Sequence, residues 1–261
     1  FTRPEALQEI RSHKPAMVWL ESPTNPLLKV IDLQEVCAVT QSLGIPVLVD
    51  NTFATALVQR PLELGATLSL TSTTKYINGH SDALGGAVCT NDPDWHQKMV
   101  FSQKALGLQP SPFDCWLITR GIKTLPLRLR QQMANAAALA DQLAEHPRVN
   151  WVRYPHRADH PQHAVASRQM AAGGAIVTVS FDASQEETYA LCKRLRWFTM
   201  AESLGGIESL ICHPATMTHA AVSSEVKTRL GIDDGLVRFS VGCEDLLDLQ
   251  TDLQQALEQL V

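Results

Sequence analysis

The sequence predicts an α/β fold, with a mostly parallel sheet in a large domain followed by a smaller α+β domain. Short apolar runs recur between residues 16 and 90 with helical patterns between them, which is the order of βαβ units. These runs are apolar on both faces, as parallel strands covered by helices are. After residue 124 a long helical pattern gives way to a second set of strands and helices. We therefore predict domains at residues 1–123 and 124–261.

The predicted elements of the first domain follow one another in βαβ order. Strands are predicted at residues 16–21, 46–50, 67–71 and 86–90. Helices are predicted at residues 4–12, 32–43, 94–105 and 113–120. Asp32 is expected to cap the second helix and Gly44 to end it. The last two strands are expected to continue the parallel sheet, covered on both faces.

The second domain is predicted to open with a long helix over residues 124–145, which links two layers or domains. Further strands are predicted at residues 149–154, 175–181 and 236–241, and further helices at residues 184–195 and 244–260. Residues 155–172 alternate His, Pro, Arg and Gln without a clear period. We expect a surface loop with a helical turn there.

Composition and charge exclude several classes of protein. The 261 residues are 45% hydrophobic with a formal net charge of −5, and scattered lysines and arginines form no basic stripe for nucleic acid. No apolar run approaches the roughly 20 residues of a membrane-spanning helix, and the start does not resemble a signal peptide. We therefore expect a cytoplasmic protein with no nucleic-acid or membrane partner. The six cysteines are widely spaced without CxxC pairs, so most are expected to be buried thiols.

Polar clusters follow three of the predicted strands of the first domain. ESPTNP, DNTF and STTKY begin at or directly after the strands that end near Glu21, Asp50 and Thr71. Open parallel sheets bind ligands at the carboxyl ends of their strands. The three clusters together therefore predict a binding site at that edge of the sheet.

The side chains in these clusters suit pyridoxal phosphate. Asp50 ends an otherwise apolar strand, so it needs a cationic or hydrogen-bonding partner, such as a protonated ring nitrogen. Lys75, in a partly desolvated pocket, would be an amine nucleophile able to form a Schiff base with an aldehyde. Ser72, Thr73 and Thr74 place hydroxyl donors where a phosphate could bind. Pyridoxal phosphate carries all three groups: an aldehyde, a phosphate and a pyridine nitrogen.

Each of these residues also has a simpler interpretation. Taken alone, Lys75 would be a solvated surface residue, Asp50 a turn or helix-capping residue, and the hydroxyl side chains turn formers. Asn25, between two prolines, would be a turn residue. Only the order and spacing of the clusters together favour a binding site.

A metal-dependent hydrolase is an alternative from a different class. Cys212, His213 and His219 lie close together in the sequence. No third ligand follows at the spacing typical of zinc, so we predict no metal.

Six segments of the chain resemble successive signatures of one family. ESPTNP, VDNTF, STTKYINGHSD, ESLGGIESL, PATMTH and VRFSVGCED are similar to motifs of the cystathionine γ-synthase and γ-lyase family, the pyridoxal-phosphate enzymes of cysteine and methionine metabolism. The resemblance runs from about residue 16 to residue 257, in the family's order. It implies a fold-type I PLP-dependent transferase fold, similar to that of aspartate aminotransferase. It also implies a homotetramer.

The resemblance further implies roles for individual residues at the cofactor. Lys75 would be the catalytic residue that bonds the cofactor aldehyde, and Asp50 would pair with the pyridine nitrogen. Ser72 and Thr74 would contact the phosphate. Asn25 would lie near the cofactor hydroxyl and the substrate carboxylate.

Two residues of the second domain are implied to bind the substrate carboxylate: Ser203 and Arg238. Arg238 lies in the middle of the strand pattern LVRFSV, where a charge is costly unless it meets an anion, and its guanidinium fits a carboxylate bidentately. A surface-facing arginine is the alternative there.

The family resemblance ranks three reactions. Replacement at the γ-carbon of an O-acylhomoserine by a thiol such as cysteine comes first, then γ-elimination on cystathionine or methionine, then β-elimination. Cys212 stands where family γ-lyases tend to have Glu, and the stretch ESLICHPATMTH is more similar to γ-synthases or methionine γ-lyases. Family members carry a further N-terminal third that this sequence lacks, so we expect the chain to be part of a longer protein. A non-catalytic subunit or scaffold that retains the fold is the remaining alternative.

Overall fold

The computed structural model describes residues 1–3 and 5–260, which form two compact units. The first unit comprises Phe1–Asn25, Lys29–Leu125 and Pro161–Ala172. The second comprises Pro26–Leu28, Pro126–His160 and the chain from Gly173 onward. Each unit thus includes a short segment from the other half of the sequence, and the two predicted domains, 1–123 and 124–261, stay a prediction.

The first unit contains a four-stranded sheet with helices between the strands. Its strands, in sheet order, are β1 (Val18–Glu21), β2 (Val47–Asp50), β3 (Leu68–Ser72) and β4 (Gly86–Cys89). Its helices are α1 (Glu5–His13), α2 (Leu33–Ser42), α3 (Thr55–Val58), α4 (Pro93–Ala105) and α5 (Pro112–Ile122). β1, β2 and β3 run parallel, as predicted. The apolar strands and the helix patterns were therefore located correctly to within a few residues.

The direction predicted for β4 is wrong. β4 pairs antiparallel with β3, with Ser69 opposite Cys89 and Ser72 opposite Gly86. The connection between the two strands contains only a short turn, and no helix crosses back over the sheet as a parallel pair requires. The expectation that this strand is covered on both faces is also wrong, because three of its four residues are exposed.

Helix α2 packs on the parallel part of the sheet because its apolar residues recur on one face. Asp32 caps the helix as predicted, since its carboxylate accepts the Glu35 backbone N–H at 3.2 Å. Val36 and Val39 are buried with residues of β1 and β2 in one apolar cluster. This packing fixes β1 and β2, and with them the loops at their carboxyl ends.

Residues 155–172, predicted as a surface loop with a helical turn, contain a short helix. Helix α7 spans His163–Gln169, and Ala166 and Gln169 on it are buried. The helical turn is confirmed, and the surface loop is wrong at the buried residues, where polar contacts hold the segment without an apolar period. The Gln169 amide donates to the Ile31 carbonyl oxygen at 2.8 Å, and Arg168 forms an ion pair with Asp32.

The second unit contains a five-stranded sheet. Its strands, in sheet order, are β5 (Val149–Arg153), β6 (Ile176–Phe181), β9 (Leu236–Ser240), β8 (Leu210–Cys212) and β7 (Thr199–Met200). Its helices are α6 (Leu125–Ala144, within this unit from Pro126), α8 (Gln185–Arg194), α9 (Ser224–Leu230) and α10 (Leu246–Leu257). The two short strands β7 and β8 and helix α9 were not predicted.

Strand β6 is buried along its whole length, although its sequence alternates. Its two polar side chains are hydrogen-bonded: the Thr178 hydroxyl donates to the Pro26 carbonyl oxygen at 2.6 Å, and the Ser180 hydroxyl donates to the Asp233 carboxylate at 2.9 Å. Leu139, Leu143 and the apolar residues of β6 and β9 form the core of this unit. Burial on both faces thus places β6 and β9 at the centre of the sheet.

Gly121→Ala is expected to destabilise the first unit. A Cβ atom at Gly121 on α5 would lie 2.2 Å from the carbonyl oxygen of Asn78. Such overpacking costs about 1–3 kcal/mol and should lower the midpoint of urea unfolding. Gly86→Ala is the matched control, because its nearest neighbour would be the Thr71 carbonyl oxygen at 3.8 Å. Equal midpoints for the two variants would contradict the prediction.

No helix among residues 1–3 and 5–260 has the length and apolar character needed to cross a membrane.

Candidate active site

The carboxyl ends of β1, β2 and β3 meet at one edge of the parallel sheet. Glu21 pairs with Asp50, and Asp50 pairs with Leu70 on the next strand. Backbone hydrogen bonds continue past the strand ends, from Ser22 N–H to the Asp50 carbonyl oxygen at 3.3 Å and from Asn51 N–H to the Leu70 carbonyl oxygen at 2.8 Å. The three polar clusters singled out in the sequence therefore begin side by side.

Asp50 has one carboxylate oxygen fixed and one without a protein partner. Oδ1 accepts the Thr52 backbone N–H at 2.9 Å, and the Thr52 hydroxyl in turn accepts the Ser72 N–H at 2.9 Å. Neither a hydrogen bond nor an ion pair to Oδ2 occurs within the described part of the chain. The turn contact considered for Asp50 is thus present, and it leaves an acceptor at the strand end for a cationic group.

Lys75 lies in a short turn, Thr73–Ile77, that follows β3. The turn is a wide helical one, broken at Lys75 itself by non-helical dihedrals of φ −93° and ψ −129°. Two features fix the backbone of this turn: the Lys75 carbonyl oxygen accepts the Gly79 N–H at 2.7 Å, and the neighbouring Tyr76 is buried. Lys75 is half-buried, which contradicts the interpretation of a fully solvated surface lysine.

The hydroxyl groups before Lys75 differ in their partners. The Ser72 hydroxyl has no hydrogen bond to the described residues, and Thr73 Oγ1 is buried without a partner among them. Thr74 Oγ1 instead accepts the Gly85 N–H at 3.0 Å and donates to the Gly85 carbonyl oxygen at 3.3 Å. Ser72 can therefore donate to a phosphate directly, whereas Thr74 would first have to release Gly85.

These groups fit pyridoxal phosphate by the chemistry of the donor set. An acceptor without a partner at Asp50, a free hydroxyl at Ser72 and an amine at Lys75 lie on the ends of adjacent strands or one short turn beyond. Asn25 is half-buried and lies in the loop that follows β1.

Arg238 lies at the centre of the sheet in the second unit. It pairs with Thr178 on β6 and with Cys212 on β8, and it is only 1% exposed. One guanidinium nitrogen, Nη2, donates to the carbonyl oxygens of Glu202 at 2.8 Å and Ser203 at 3.0 Å. The alternative of a surface-facing arginine is therefore wrong. Two carbonyl groups orient this buried guanidinium, whose planar fork suits a carboxylate.

The residues considered for a metal make other contacts. His213 is buried, with its ring nitrogens at 2.8 Å from the Thr216 hydroxyl and 2.9 Å from the Asp234 carbonyl oxygen. Burial lowers the pKa of His219, and the positive charges of Arg238 and Lys227 act in the same direction. No cluster of three His, Cys, Asp or Glu side chains suited to a metal lies within residues 1–3 and 5–260.

A family model described as "Cys/Met metabolism PLP-dependent enzyme" matches residues 1–258 of the chain. The chain belongs to this family. The resemblance carried by the six motifs is thereby confirmed, as is pyridoxal phosphate as the cofactor of the family.

Three known members show the range of the family. The cystathionine gamma-lyase of Dictyostelium discoideum is 45% identical over 253 residues, which are 97% of this chain and 65% of that protein. The cystathionine beta-lyase of Coxiella burnetii is 43% identical over 258 residues, which are 98% and 67% of the two chains. The crystal structure of cystathionine gamma synthase from Xanthomonas oryzae pv. oryzae in complex with aminoacrylate and cysteine has a TM-score of 0.96 and 46% identity, covering 99% of this chain and 67% of that one.

The comparisons confirm the fold-type I architecture of this family member. The chain spans about two thirds of the length of these relatives. The roles of the individual site residues stay predictions. Sequence reasoning did not single out Thr52 or Gln59, which hold the strand ends together through side-chain hydrogen bonds. Thr52 had a usable signal, since a hydroxyl two residues after Asp50 is typical of a turn closed by the aspartate.

Proposed function

We propose that the chain serves a pyridoxal-phosphate-dependent enzyme of sulfur amino-acid metabolism, which replaces the γ-substituent of an O-acylhomoserine with a thiol such as cysteine. The proposed cofactor is supported by the placement of Asp50, Ser72 and Lys75 at or just beyond the ends of adjacent strands. A scaffold without chemistry would need neither a carboxylate with an open oxygen nor a half-buried lysine at that edge.

The protein groups divide the work at the cofactor. When bound, pyridoxal phosphate supplies an aldehyde that bonds amines and a ring that takes up electrons from the substrate. Asp50 would hold the ring nitrogen protonated, Ser72 would donate to the phosphate, and Thr74 would join Ser72 after releasing Gly85. Lys75 would hold the aldehyde through its amine and, as general base and acid, would move a proton between the substrate carbons.

The remaining residues bind the substrate. Arg238 is proposed to bind its carboxylate, with Ser203 and Asn25 as further partners. These roles follow from the buried guanidinium of Arg238 and from the family resemblance. A homotetramer in the cytoplasm is proposed on the same resemblance.

The side chain at Cys212 supports synthesis over γ-cleavage of cystathionine. Cys212 is buried on β8 and pairs with Arg238 on β9. Burial raises its pKa above the usual thiol value, although the nearby Arg238 charge opposes the rise. The thiol is therefore uncharged at neutral pH. At the same position, family γ-lyases tend to have the acid Glu. Cleavage of cystathionine at the γ- or the β-carbon is the second candidate, because relatives of both kinds match over nearly the whole chain.

Product analysis tests the proposal. We expect the purified protein with pyridoxal phosphate, an O-acylhomoserine and cysteine to yield cystathionine by mass spectrometry. Cystathionine as the only substrate should be consumed much more slowly. Fast release of 2-oxobutanoate from cystathionine would favour γ-cleavage, and fast release of pyruvate would favour β-cleavage. A protein that binds the cofactor but turns over none of these substrates would favour the scaffold.

A further inference from the structure

A buried chain of amide side chains joins the loops that follow β1 and β2. We propose that Gln59 and Gln169 are positioning residues, which fix the peptide between Asp50 and Asn51 and so orient the Asp50 carboxylate toward the cofactor. This inference rests on the proposed function, because it takes Asp50 as the partner of the cofactor nitrogen.

Gln59 spans both loops with one fully buried side chain. Its Nε2 donates to the Ser22 carbonyl oxygen at 2.8 Å and to Asn51 Oδ1 at 2.9 Å. The Asn51 amide donates back to the Gln59 carbonyl oxygen at 2.8 Å. Ser22 and Asn51 are the first residues after β1 and β2, so Gln59 ties the two strand ends to each other beyond the last backbone pair.

Gln169 closes the other side of the network. Its Nε2 donates to Gln59 Oε1 at 2.9 Å and to the Ile31 carbonyl oxygen at 2.8 Å, and its Oε1 accepts the Leu33 N–H at 3.2 Å. Both N–H groups and the oxygen of each glutamine are thus in use. Only a carboxamide offers two donors and an acceptor in this geometry, and a fully satisfied buried network holds a single orientation.

The loop inside this network is strained. Thr55, a β-branched residue, has φ +59°, in the left-handed region that such residues disfavour. Its N–H donates to the Asn51 carbonyl oxygen at 2.9 Å, and its own carbonyl oxygen accepts the Gln59 N–H at 3.0 Å. Strain of this kind persists only where the surroundings over-determine the backbone, and such sites cluster around functional residues.

The network acts on Asp50 through its neighbours in the chain. The Asp50 carbonyl oxygen accepts the Ser22 N–H, and its Oδ1 accepts the Thr52 N–H. Two backbone hydrogen bonds hold the peptide after Asp50, one from the Ser22 N–H and one to the Leu70 carbonyl oxygen. Gln59 holds Ser22 and Asn51 in place on either side of it, so loss of the amide would shift the contacts of Asp50, and with them the open oxygen Oδ2.

The test replaces each glutamine by methionine, which has a similar length and no amide. Gln59→Met and Gln169→Met are expected to raise the Kd for pyridoxal phosphate about tenfold, as loss of a residue that orients a ligand typically does. They should also shift the wavelength of the bound cofactor's visible band, because a displaced Asp50 no longer holds the ring nitrogen protonated. Ile10→Ala is the control: it removes a buried apolar side chain from the same unit without touching the network.

The outcomes separate positioning from simple loss of stability. Urea unfolding at the assay temperature shows whether each variant is folded without urea, and only folded variants are titrated. The inference is overturned if the glutamine variants keep the wild-type Kd and band, or if Ile10→Ala changes both as much as they do. A wild-type protein that gives no saturable band overturns the proposed function and this inference together, so the two failures can be distinguished.

Discussion

Replacing Lys75 with alanine is expected to abolish the visible absorbance band that pyridoxal phosphate gives when it is bonded to a protein lysine. Alanine offers no amine to the aldehyde and no base to the substrate carbons. Turnover should fall by about 100- to 10,000-fold, the contribution that a positioned general acid and base makes. The measurement is a spectrum of the protein titrated with pyridoxal phosphate, followed by kcat with an O-acylhomoserine and cysteine.

A lysine elsewhere in the same unit controls for loss of charge. Lys98 on α4 is exposed, with its Nζ 4.6 Å from the centroid of the Trp95 ring. Lys98→Ala should leave the band and kcat unchanged. If urea titrations show that both variants are folded and the band persists in the Lys75 variant, Lys75 does not have the proposed role.

The fold was predictable where burial alone decides the pattern. The apolar run ending at Asp50 predicts a strand covered on both faces, and the structure has it buried and parallel to β1. The direction of β4 depends on how the chain returns from the turn at Lys75, which the side-chain pattern does not encode. Strand β7 has two residues and is defined by its backbone pairing with β8, so no periodicity could reveal it.

The candidate site was predictable to the extent that its chemistry is carried by strand ends. Asp50 and Lys75 stood out because an acid and a lysine followed apolar strands in a fixed order. Gln59 and Gln169 did not, because they are 110 residues apart in sequence and become partners only in the folded chain. A glutamine in a sequence gives no sign of whether its amide will be buried. Polar networks that position a catalytic group are therefore the part of a site that needs the structure.

Arg238→Lys is expected to raise the KM for amino-acid substrates about 10- to 100-fold, the range that a charge-assisted hydrogen bond of about 1.5–3 kcal/mol implies. Lysine keeps the positive charge but loses the planar fork that meets both oxygens of a carboxylate. The buried strand position and the two carbonyl contacts, to Glu202 and Ser203, leave little room for a lysine to recover that geometry. The band of the bound cofactor should stay unchanged, because Arg238 is proposed to bind substrate and not cofactor.

A substrate analogue without the α-carboxylate separates carboxylate binding from a general effect of the Arg238 substitution. An amine that lacks this group can still react with the cofactor aldehyde, and it gives Arg238 nothing to bind. The wild type and Arg238→Lys should therefore react with the amine at similar rates, while their KM values for the amino acid differ. If the substitution slows the reaction with the amine as much as it slows the reaction with the amino acid, Arg238 acts through the structure of the strand and not through the substrate carboxylate.

The same comparison with Cys212→Glu is informative, because Cys212 pairs with Arg238 on the neighbouring strand. A new carboxylate there would compete for the guanidinium, so its KM should rise for the amino acid and stay unchanged for the amine.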